Sequence, residues 1–448
     1  MTAAKDYIET VYQKVEKRGP HQAEFLQAVR EMFDTIEPAI EKNPQFIKWN
    51  ILEQLAEPER VISFRVPWVA DDGTVQINKG FRVQYNSALG PYKGGIRFHP
   101  TVNESILKFL GFEQMFKNSL TGLPIGGGKG GADFDPKGKS DEEIMRFCQS
   151  FMTELQKYIG PIQDVPAGDI GVSGREIGYM YGQYKRLNGA HSGVLTGKPV
   201  SMNGSLARTE ATGYGLVYYT EEMLQANGKS FKDQKVVVSG SGNVATYAIE
   251  KVREFGGTVI ACSDSNGYIY DESGIDVTLL KQVKEVERKR LTEYADRKDS
   301  ANYVEGSVWD IDVPFAIALP CATQNEISGN QAAQMVKNGV YCVSEGANMP
   351  SDLDAIHVYL ENGVYYGPAK AANAGGVATS ALEMAQNAQH GHWTFERVDE
   401  ELKAIMKNIF KTVEETAKEY DLEGNYLAGV NIASFLNVAN AMVFQGVV

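Results

Sequence analysis

The spacing of apolar residues predicts where helices and strands lie in the first part of the chain. Apolar side chains recur every three or four positions over residues 8–15 and 25–36, which indicates two amphipathic helices. Over residues 62–66 and 81–85, apolar and polar side chains instead alternate strictly, which is typical of strands with one buried face. The turn sequence Asp-Asp-Gly at residues 71–73 lies between them, so both strands are expected in one sheet.

Two further helices have recognisable starts. A helical repeat of apolar residues begins at Asn103, and Ser140 is followed three positions later by Glu143, the spacing of a capping box. Residues 193–213 are rich in glycine, serine and threonine and show no clear period. We interpret them as the passage between two domains.

The second half of the chain has the pattern of a dinucleotide-binding fold. Valines at residues 236–238 lead into the spacing G-x-G-x-x-A at residues 240–245 and then into a helical pattern, which is the order that such a fold requires. The next apolar run, residues 258–262, ends in Ser-Asp-Ser at the expected distance. The helix N-terminus is expected to hold a pyrophosphate. The candidate cofactor contacts are Gly240, Ser241, Gly242, Asn243, Val244, Ser263, Asp264 and Ser265.

Three later apolar runs each end in a polar or glycine-rich edge that contains an asparagine, namely Asn325, Asn348 and Asn373. Each asparagine by itself is typical of a turn. Because ligands of open α/β sheets bind at the carboxyl ends of the strands, the threefold repetition of the pattern favours a cofactor cleft.

Composition and charge narrow the class of protein. The 448 residues suffice for two or three domains, and the formal net charge of −13 comes with no basic run long enough for a nucleic-acid interface. The four cysteines show no metal-ligand spacing, so we expect buried free thiols in a reducing compartment and no metal site. Residues 1–19 lack the apolar core of a signal peptide. We therefore expect a cytoplasmic protein without nucleic-acid or membrane partners.

Three lysines lie in one glycine-rich part of the chain. Lys93 and Lys129 are flanked by glycine-rich sequence, and we expect loops that aim them into a crevice, although two tight turns with solvated lysines have the same pattern. Gln114 and Lys117 share a helical face and suit a carboxylate. Asp169 lies in a glycine-bounded turn and is either a turn residue or part of the same site. A P-loop is excluded, because leucine and glycine replace its required residues around Lys129.

Together, these stretches resemble the glutamate dehydrogenases of the small hexameric type found in bacteria and lower eukaryotes. The resemblance runs from about residue 50 to the C-terminus and is carried by GPYKGG, GFEQMFK, LPIGGGKGG, DVPAGDIG, RTEATGYG, VSGSGNVA, PCATQN, EGANMP and KAANAGGVATSALEMAQN. It implies an α/β fold of two domains about a cleft. Residues 1–200 would be a mixed-sheet domain for substrate binding and oligomerisation, with a C-terminal helix at 425–448 packing back on it, and residues 201–424 a Rossmann-like dinucleotide-binding domain.

The activity that the resemblance implies is the reversible reductive amination of 2-oxoglutarate with ammonia to L-glutamate, through an iminium, in a homohexamer. It makes Lys129 the catalytic lysine and Asp169 its proton-shuttling partner. The chemistry agrees independently, because ammonium groups crowded in a desolvated cleft disfavour each other's charge. The pKa of the least compensated lysine is then lowered, which suits acid–base work near neutral pH.

The substrate has two carboxylates, and the resemblance assigns residues to each of them. Lys117 and Gln114 would hold the α-carboxylate, and Lys93 and Ser380 the distal carboxylate. Gly168 would present its backbone to the reacting carbon.

The resemblance and the residues together favour NADP(H) over NAD(H). Asp264 alone indicates NAD(H), because a carboxylate there binds the ribose 2′-hydroxyl and repels a 2′-phosphate. Ser263 and Ser265 can instead donate hydrogen bonds to a phosphate, and a basic cluster one helix further on could reach them, unless it is only a solvated face. The cluster contains Lys284, Arg288, Lys289 and Arg290. By resemblance, Thr212, Asn243 and Asn373 also contact the cofactor.

The alternatives are an NAD-dependent glutamate dehydrogenase and a leucine, valine or phenylalanine dehydrogenase of the same architecture. A leucine, valine or phenylalanine dehydrogenase would have an apolar pocket for the substrate side chain. Lys93 and Ser380 argue against such a pocket. A non-catalytic nucleotide-binding subunit is a more remote alternative, and the presence of Lys129 and Asp169 argues against that.

Overall fold

The computed structural model of the protein describes residues 2–447, which form two compact units. Unit 1 contains the chain up to Leu206, Val377–Val398 and the chain from Asn431. Unit 2 contains Ala207–Gly376 and Asp399–Val430.

Unit 1 begins with short and medium helices, which include the two predicted amphipathic ones. These helices are α1 (Ala3–Arg18), α2 (Ala23–Thr35), α3 (Glu37–Lys42), α4 (Gln45–Lys48) and α5 (Ile51–Leu55). On α1 the buried stripe contains Ile8, Val11 and Val15, and on α2 it contains Phe25 and Val29. The helical period of these apolar residues therefore places them against the interior of the unit.

A mixed five-stranded sheet follows in unit 1, as predicted. Its strands are β1 (Arg60–Val69), β2 (Val75–Asn86), β3 (Tyr92–Phe98), β4 (Gly127–Ala132) and β5 (Asp164–Gly168), in the order β1-β2-β4-β3-β5. The first two strands lie in one sheet, as predicted, and pair with each other antiparallel, and β2 is also antiparallel to β4. Strand β3 runs parallel to both of its neighbours, β4 and β5.

The two glycine-rich lysine stretches are buried strands, so the expectation of loops or tight turns around Lys93 and Lys129 is wrong. Both lysines lie inside strands, β3 and β4 respectively. The glycines are needed for close packing: a Cβ on Gly94 would lie 1.6 Å from the carbonyl oxygen of Gly128, and one on Gly127 would lie 2.6 Å from the Met115 Cα. Glycine therefore serves here to bring backbones together, which is its other use besides turns.

Met115 belongs to α6 (Glu104–Leu120), the helix that packs on β4. This helix starts as predicted, because the Asn103 side chain accepts a hydrogen bond from the Ile106 N–H at 3.0 Å. Helix α7 (Asp141–Leu155) begins with the predicted Ser140–Glu143 capping box, and α8 (Gly174–Asn188) follows it. Buried aromatic side chains fill the space beside the sheet, among them Phe98, Phe134, Phe147 and Phe151.

Unit 2 has the Rossmann-like architecture that the sequence predicts. Its sheet has the order β12-β11-β10-β6-β7-β8-β9, with parallel pairing from β12 to β7 and antiparallel pairing at β8 and β9. The strands are β6 (Lys235–Val238), β7 (Thr258–Ser263), β8 (Gly267–Tyr270), β9 (Asn302–Glu305), β10 (Ile317–Leu319), β11 (Cys342–Ser344) and β12 (Tyr365–Gly367). The helices are α9 (Ala211–Ala226), α10 (Asn243–Glu254), α11 (Val277–Lys281), α12 (Leu291–Asp296), α13 (Gly329–Lys337), α14 (Leu353–Glu361) and α15 (Ala369–Ala372).

The last three helices have residues in both units. They are α16 (Gly375–Ala388), α17 (Phe395–Glu419) and α18 (Tyr426–Gln445). The predicted division, 1–200 with 425–448 against 201–424, lacks the return of residues 377–398 to unit 1. No change in composition or periodicity marks the start of that return, because the boundary between Gly376 and Val377 lies inside helix α16.

Within residues 2–447, one helix, α18, is long and apolar enough to cross a membrane when judged by length and composition alone. More than half of its most apolar window is buried, at 56%. In unit 1 its Phe435 and Val438 are fully buried, and its Ser434 carbonyl accepts a hydrogen bond from the Ser119 hydroxyl at 3.1 Å. This helix therefore has the contacts of a core helix. All four cysteines are buried and free, as expected.

The close packing of α6 on β4 generates a stability prediction. Gly127→Ala should lower the apparent Tm, because the new methyl group meets helix backbone that cannot move aside, and such overpacking costs about 1–3 kcal/mol. Gly160→Ala is the matched control, since a Cβ there has nothing within 4 Å. Thermal unfolding followed by circular dichroism checks both variants, and equal Tm values for the two would contradict the packing argument.

Candidate active site

Lys129, Asp169 and Arg97 lie side by side in unit 1, because each comes from one of three adjacent parallel strands or from its end. Lys129 is in β4, Arg97 in β3, and Asp169 directly follows β5. The Lys129 Nζ lies 2.8 Å from the Asp169 Oδ2. The Arg97 Nε donates a hydrogen bond to the same oxygen at 3.0 Å. The structure thus brings the predicted pair together and adds an arginine that sequence reasoning missed.

Burial and charge shift the pKa values of this pair. Burial lowers the pKa of Lys129, and Arg97 acts in the same direction, while Asp169 opposes them. Burial by itself raises the pKa of Asp169, but the charges of Lys129 and Arg97 outweigh it, so this pKa is lowered. The result is an ionised carboxylate beside a lysine with a weakened hold on its proton. Such a pair is suited to proton exchange with a bound ligand.

Lys93 is almost fully buried, with 1% of the residue exposed. Its Nζ donates hydrogen bonds to the Val165 carbonyl oxygen at 2.9 Å and to the Thr196 Oγ1 at 2.7 Å. Thr196 is a second residue that sequence reasoning missed. It lies in the stretch interpreted as a passage between domains, where no spacing signal distinguishes one threonine from another.

Ser380 and Glu383 lie three positions apart on α16, within the segment that returns to unit 1. The Glu383 carboxylate is 2.7 Å from the Lys198 Nζ, and both side chains are fully buried. It also accepts a hydrogen bond from the Gly197 N–H at 2.9 Å. The segment next to Thr196 is therefore tied to the helix that carries Ser380. Breaking one partner of such a buried ion pair is costly, so the connection is rigid.

Gln114 and Lys117 are half-buried on α6, as expected for residues that share one helical face. The Gln114 side chain donates to the Asn118 Oδ1 at 2.7 Å. Asn118 is completely buried and donates to the Lys93 carbonyl oxygen at 3.0 Å. This asparagine, also missed, links the helix to β3. Gly168 ends β5, and a Cβ there would lie 2.5 Å from the Val172 carbonyl oxygen.

The predicted dinucleotide contacts lie at the ends of β6 and β7 and at the start of α10. Gly240 has a φ of +85°, which favours glycine, and its N–H donates to the Ser263 Oγ at 2.8 Å. The N-cap residue of helix α10 is Gly242, which has no side chain to cap the free N–H groups. Asn243 is exposed there, whereas Ser241 is buried. The helix start therefore offers open backbone donors for an anion.

Other predicted cofactor residues surround this helix start in unit 2. A Cβ on Gly213 would lie 2.6 Å from the Val244 carbonyl oxygen, so Gly213 packs closely against the start of α10. Thr212 comes just before that glycine, at the start of α9. The Asn373 side chain donates to the Asn348 Oδ1 at 2.9 Å, so two of the three predicted asparagines meet.

The Asp264 carboxylate accepts hydrogen bonds from the protein's own backbone. Its two carboxylate oxygens accept N–H groups from Asn266 at 3.0 Å and from Leu291 at 3.1 Å. The Arg290 Nη1 donates to the Ser265 Oγ at 2.6 Å. Of the predicted basic cluster, Arg290 therefore reaches the Ser-Asp-Ser edge, and a phosphate there would meet a guanidinium and serine hydroxyls.

Lys284 and Lys289 of that cluster make their contacts elsewhere. The Lys284 Nζ donates to the Lys289 carbonyl oxygen at 2.9 Å. The Lys289 Nζ lies 3.3 Å from Glu287 and 3.2 Å from Glu293. The expectation that the whole cluster reaches the edge is therefore wrong for these two lysines. Their stretch includes a wide helical turn at Gln282–Val286, and it directs them to neighbours along their own segment.

A dinucleotide-binding unit combined with a unit that carries a buried lysine–aspartate pair defines a class of nicotinamide-dependent oxidoreductases. Residues 203–446 match the family model "Glutamate/Leucine/Phenylalanine/Valine dehydrogenase", and residues 58–186 match "Glu/Leu/Phe/Val dehydrogenase, dimerisation domain". The chain therefore belongs to the Glu/Leu/Phe/Val dehydrogenase family.

Similar proteins cover the chain almost completely. The NADP-specific glutamate dehydrogenase of Giardia intestinalis is 55% identical over 98% of this chain and 99% of its own length. That of Escherichia coli K12 is 54% identical, again over 98% of this chain and 99% of the relative. A crystal structure of Plasmodium falciparum glutamate dehydrogenase superposes with a TM-score of 0.97, at 52% identity, over 99% of this chain and 96% of that one.

Proposed function

We propose that the protein is an NADP-dependent glutamate dehydrogenase, which reductively aminates 2-oxoglutarate with ammonia and NADPH to L-glutamate, reversibly. The observation that carries the proposal is the buried Lys129–Asp169 pair on a sheet that also holds Lys93. The whole-chain similarity to NADP-specific glutamate dehydrogenases supports the substrate and the cofactor. The decisive assay follows the absorbance of NADPH, and of NADH in parallel, with 2-oxoglutarate and ammonia.

A dicarboxylate requires a cation at each end, and unit 1 supplies both. Lys117 with Gln114 binds the α-carboxylate from α6. Lys93 and Ser380 bind the distal carboxylate, and Thr196 fixes the position of the Lys93 ammonium through its hydrogen bond. Because Lys93 is almost fully buried, its interaction with a carboxylate is only weakly screened by solvent.

Proton transfer is the work of Lys129 and Asp169. The Lys129 Nζ takes a proton from the ammonia nitrogen that adds to the ketone carbon and gives it to the former ketone oxygen. A second proton, delivered from solvent through the Lys129–Asp169 pair, lets that oxygen leave as water and leaves the iminium. The lowered pKa of Lys129 allows both transfers near neutral pH. Asp169 lies 2.8 Å from the Lys129 Nζ and accepts and returns the proton, so the proton can be held on either side chain. NADPH, when bound, supplies the hydride that reduces the iminium carbon.

NADPH is held by unit 2. The start of α10 and the Gly240 loop bind the pyrophosphate, and Thr212 and Asn373 contact the cofactor. The 2′-phosphate is bound by Ser263, Ser265 and Arg290. Each oxygen of Asp264 already accepts one backbone N–H group, which fixes the carboxylate and leaves it fewer acceptor positions for the ribose.

The assembly is a homohexamer located in the cytoplasm, without nucleic-acid or membrane partners. The match of residues 58–186 to a dimerisation domain supports self-association.

The acid–base role predicts the behaviour of two variants. Lys129→Ala should lower kcat by at least about a hundredfold, the usual contribution of a positioned acid–base group. Asp169→Asn, which keeps its size and loses the proton site, should have a similar effect. Steady-state kinetics checks both, with Lys137→Ala, an exposed lysine of unit 1, as control. A Lys129→Ala enzyme that keeps more than about a tenth of the wild-type kcat excludes the role.

The distal-carboxylate assignment predicts a change of specificity. Lys93→Leu with Ser380→Val should lower activity on glutamate by orders of magnitude and raise relative activity on norleucine, since a buried unpaired carboxylate is costly. Lys117→Leu is the matched control. It should weaken both substrates without altering their ratio, because both carry an α-carboxylate. Ratios of kcat/KM decide the assignment, and an unchanged preference for glutamate in the double variant would refute it.

The phosphate site predicts a third effect. Arg290→Gln should lower kcat/KM for NADPH by about ten to a hundredfold, the value of a hydrogen bond to a charged group, and leave NADH nearly unaffected. Lys289→Gln is the control, because that lysine lies beside Glu287 and Glu293 instead. Equal losses with both cofactors would mean that Arg290 does not read the 2′-phosphate. A wild-type preference for NADH would overturn the NADP assignment itself.

A further inference from the structure

The Lys129–Asp169 pair has a neighbour that the proposed chemistry has not used. Arg97 donates from its Nε to the Asp169 Oδ2, the same oxygen that faces the Lys129 Nζ. Among the described residues, no protein group donates to the other carboxylate oxygen, Oδ1. Two fixed cations therefore share one oxygen of Asp169, which leaves the second oxygen for exchange with a ligand or water.

We infer that Arg97 is a positioning residue for the acid–base pair: it holds Asp169 in place and maintains a permanent positive charge beside Lys129. This inference rests on the proposed function. It assigns to Arg97 no contact with the substrate.

The geometry of β3 supports this role. Side chains two positions apart point to the same face of a strand, so Lys93, Gly95 and Arg97 share a face. A Cβ on Gly95 would lie 2.8 Å from the Asp169 Cβ. Asp169 therefore passes directly over Gly95, with Arg97 as the next side chain along that face. The glycine makes room for Asp169, and the arginine sets its orientation.

A permanent cation is needed because Lys129 changes its charge during proton transfer. When Lys129 is neutral, Asp169, with 18% of its side chain exposed, would be left as a mostly buried carboxylate without a counter-ion. Such an isolated charge is costly. A guanidinium keeps its proton at any working pH, so Arg97 balances Asp169 whenever that carboxylate is ionised, whatever the charge of Lys129.

The same charge acts on Lys129. Because both cations contact one oxygen at 2.8 and 3.0 Å, their nitrogens are close enough for the protonated lysine to be disfavoured. Arg82 on β2 is also a neighbour, but its charge is balanced by the buried Asp164. Among the described residues, Arg97 and Lys129 have Asp169 as their one shared carboxylate.

The remaining charged groups near the pair come from the other elements packed around it. Lys93, on β3, donates to Val165 and Thr196. Helix α6, which packs on β4, contributes Glu113 and Lys117. These side chains are unchanged in the experiment below, so any difference between variants comes from position 97.

The experiment measures the titration of Lys129 directly. The full-length protein without cofactor is briefly treated with acetic anhydride across a pH series, and acetylation of the Lys129 peptide is quantified by mass spectrometry, since only the neutral amine reacts. In parallel, the pH dependence of kcat/KM is measured for oxidative deamination of glutamate, in which Lys129 must begin unprotonated. The variants are Arg97→Met, Arg97→Lys, and Arg65→Met as a control at an exposed arginine of β1.

The expected direction follows from charge. Without the cation, protonated Lys129 is less disfavoured, so in Arg97→Met the acetylation midpoint and the acid limb of kcat/KM should both move to higher pH by about one unit. Arg97→Lys keeps the charge and should leave both near their wild-type positions, while kcat falls because a lysine lacks the Nε donor. Arg65→Met should change neither.

Three outcomes would overturn the inference: an unmoved Lys129 midpoint in Arg97→Met, an equal shift in Arg65→Met, or a shift in Arg97→Lys as large as in Arg97→Met. If Arg97→Met fails to fold, Arg97→Gln, which also removes the charge but keeps a polar side chain, takes its place with the same expected shift, and an unmoved midpoint in Arg97→Gln overturns the inference. Failure of the proposed function itself has a different signature, because wild-type protein would then not oxidise glutamate at any pH.

Discussion

A backbone contact between two glycines determines how the charged side chains of unit 1 are arranged. Gly94 on β3 and Gly128 on β4 lie so close that a single Cβ would be 1.6 Å from a carbonyl oxygen. Each of these glycines is next to a lysine of the proposed site, Lys93 and Lys129. The missing side chains therefore bring two cations onto adjacent strands, in a region where little solvent reaches either one. The backbone of helix α6 packs against the adjacent Gly127.

The buried cations of unit 1 differ in the carboxylate that balances the charge of each. Arg82 is matched by a carboxylate of its own, Asp164, and Lys198 by Glu383, and all four side chains are fully buried. Removing either charge of such a pair leaves the other buried and unpaired, so both members are held in place. Lys129 instead shares its carboxylate with Arg97. The arginine and burial together lower the pKa of Lys129, and a lysine with a weakened hold on its proton suits general acid–base chemistry.

The sequence predicts the local features of this structure well and its tertiary contacts much less well. The amphipathic helices, the capping at Asn103 and Ser140, and the dinucleotide fingerprint depend on neighbours in the chain, and the structure has all of them. The glycine stretches were assigned to loops because glycine spacing cannot distinguish a turn from a strand that another backbone approaches. Arg97 and Thr196 were missed for a related reason. Their partners are 72 and 103 positions away in the chain, and no periodicity records such a contact.

The cofactor site shows the same limit of sequence-based prediction, because a signal is present in the sequence but its meaning depends on a distant contact. An aspartate at the end of the second Rossmann strand is a sequence signal for a free ribose, because its carboxylate is expected to be available. Here the Leu291 N–H occupies one of the two oxygens of Asp264. That N–H belongs to the first residue of helix α12, which needs an acceptor at its start. The preceding residue is Arg290, and it is thereby placed against Ser265. One backbone hydrogen bond thus ties the carboxylate to another element and brings a guanidinium to the same edge, so the meaning of Asp264 as a cofactor signal depends on a helix that begins 27 residues later.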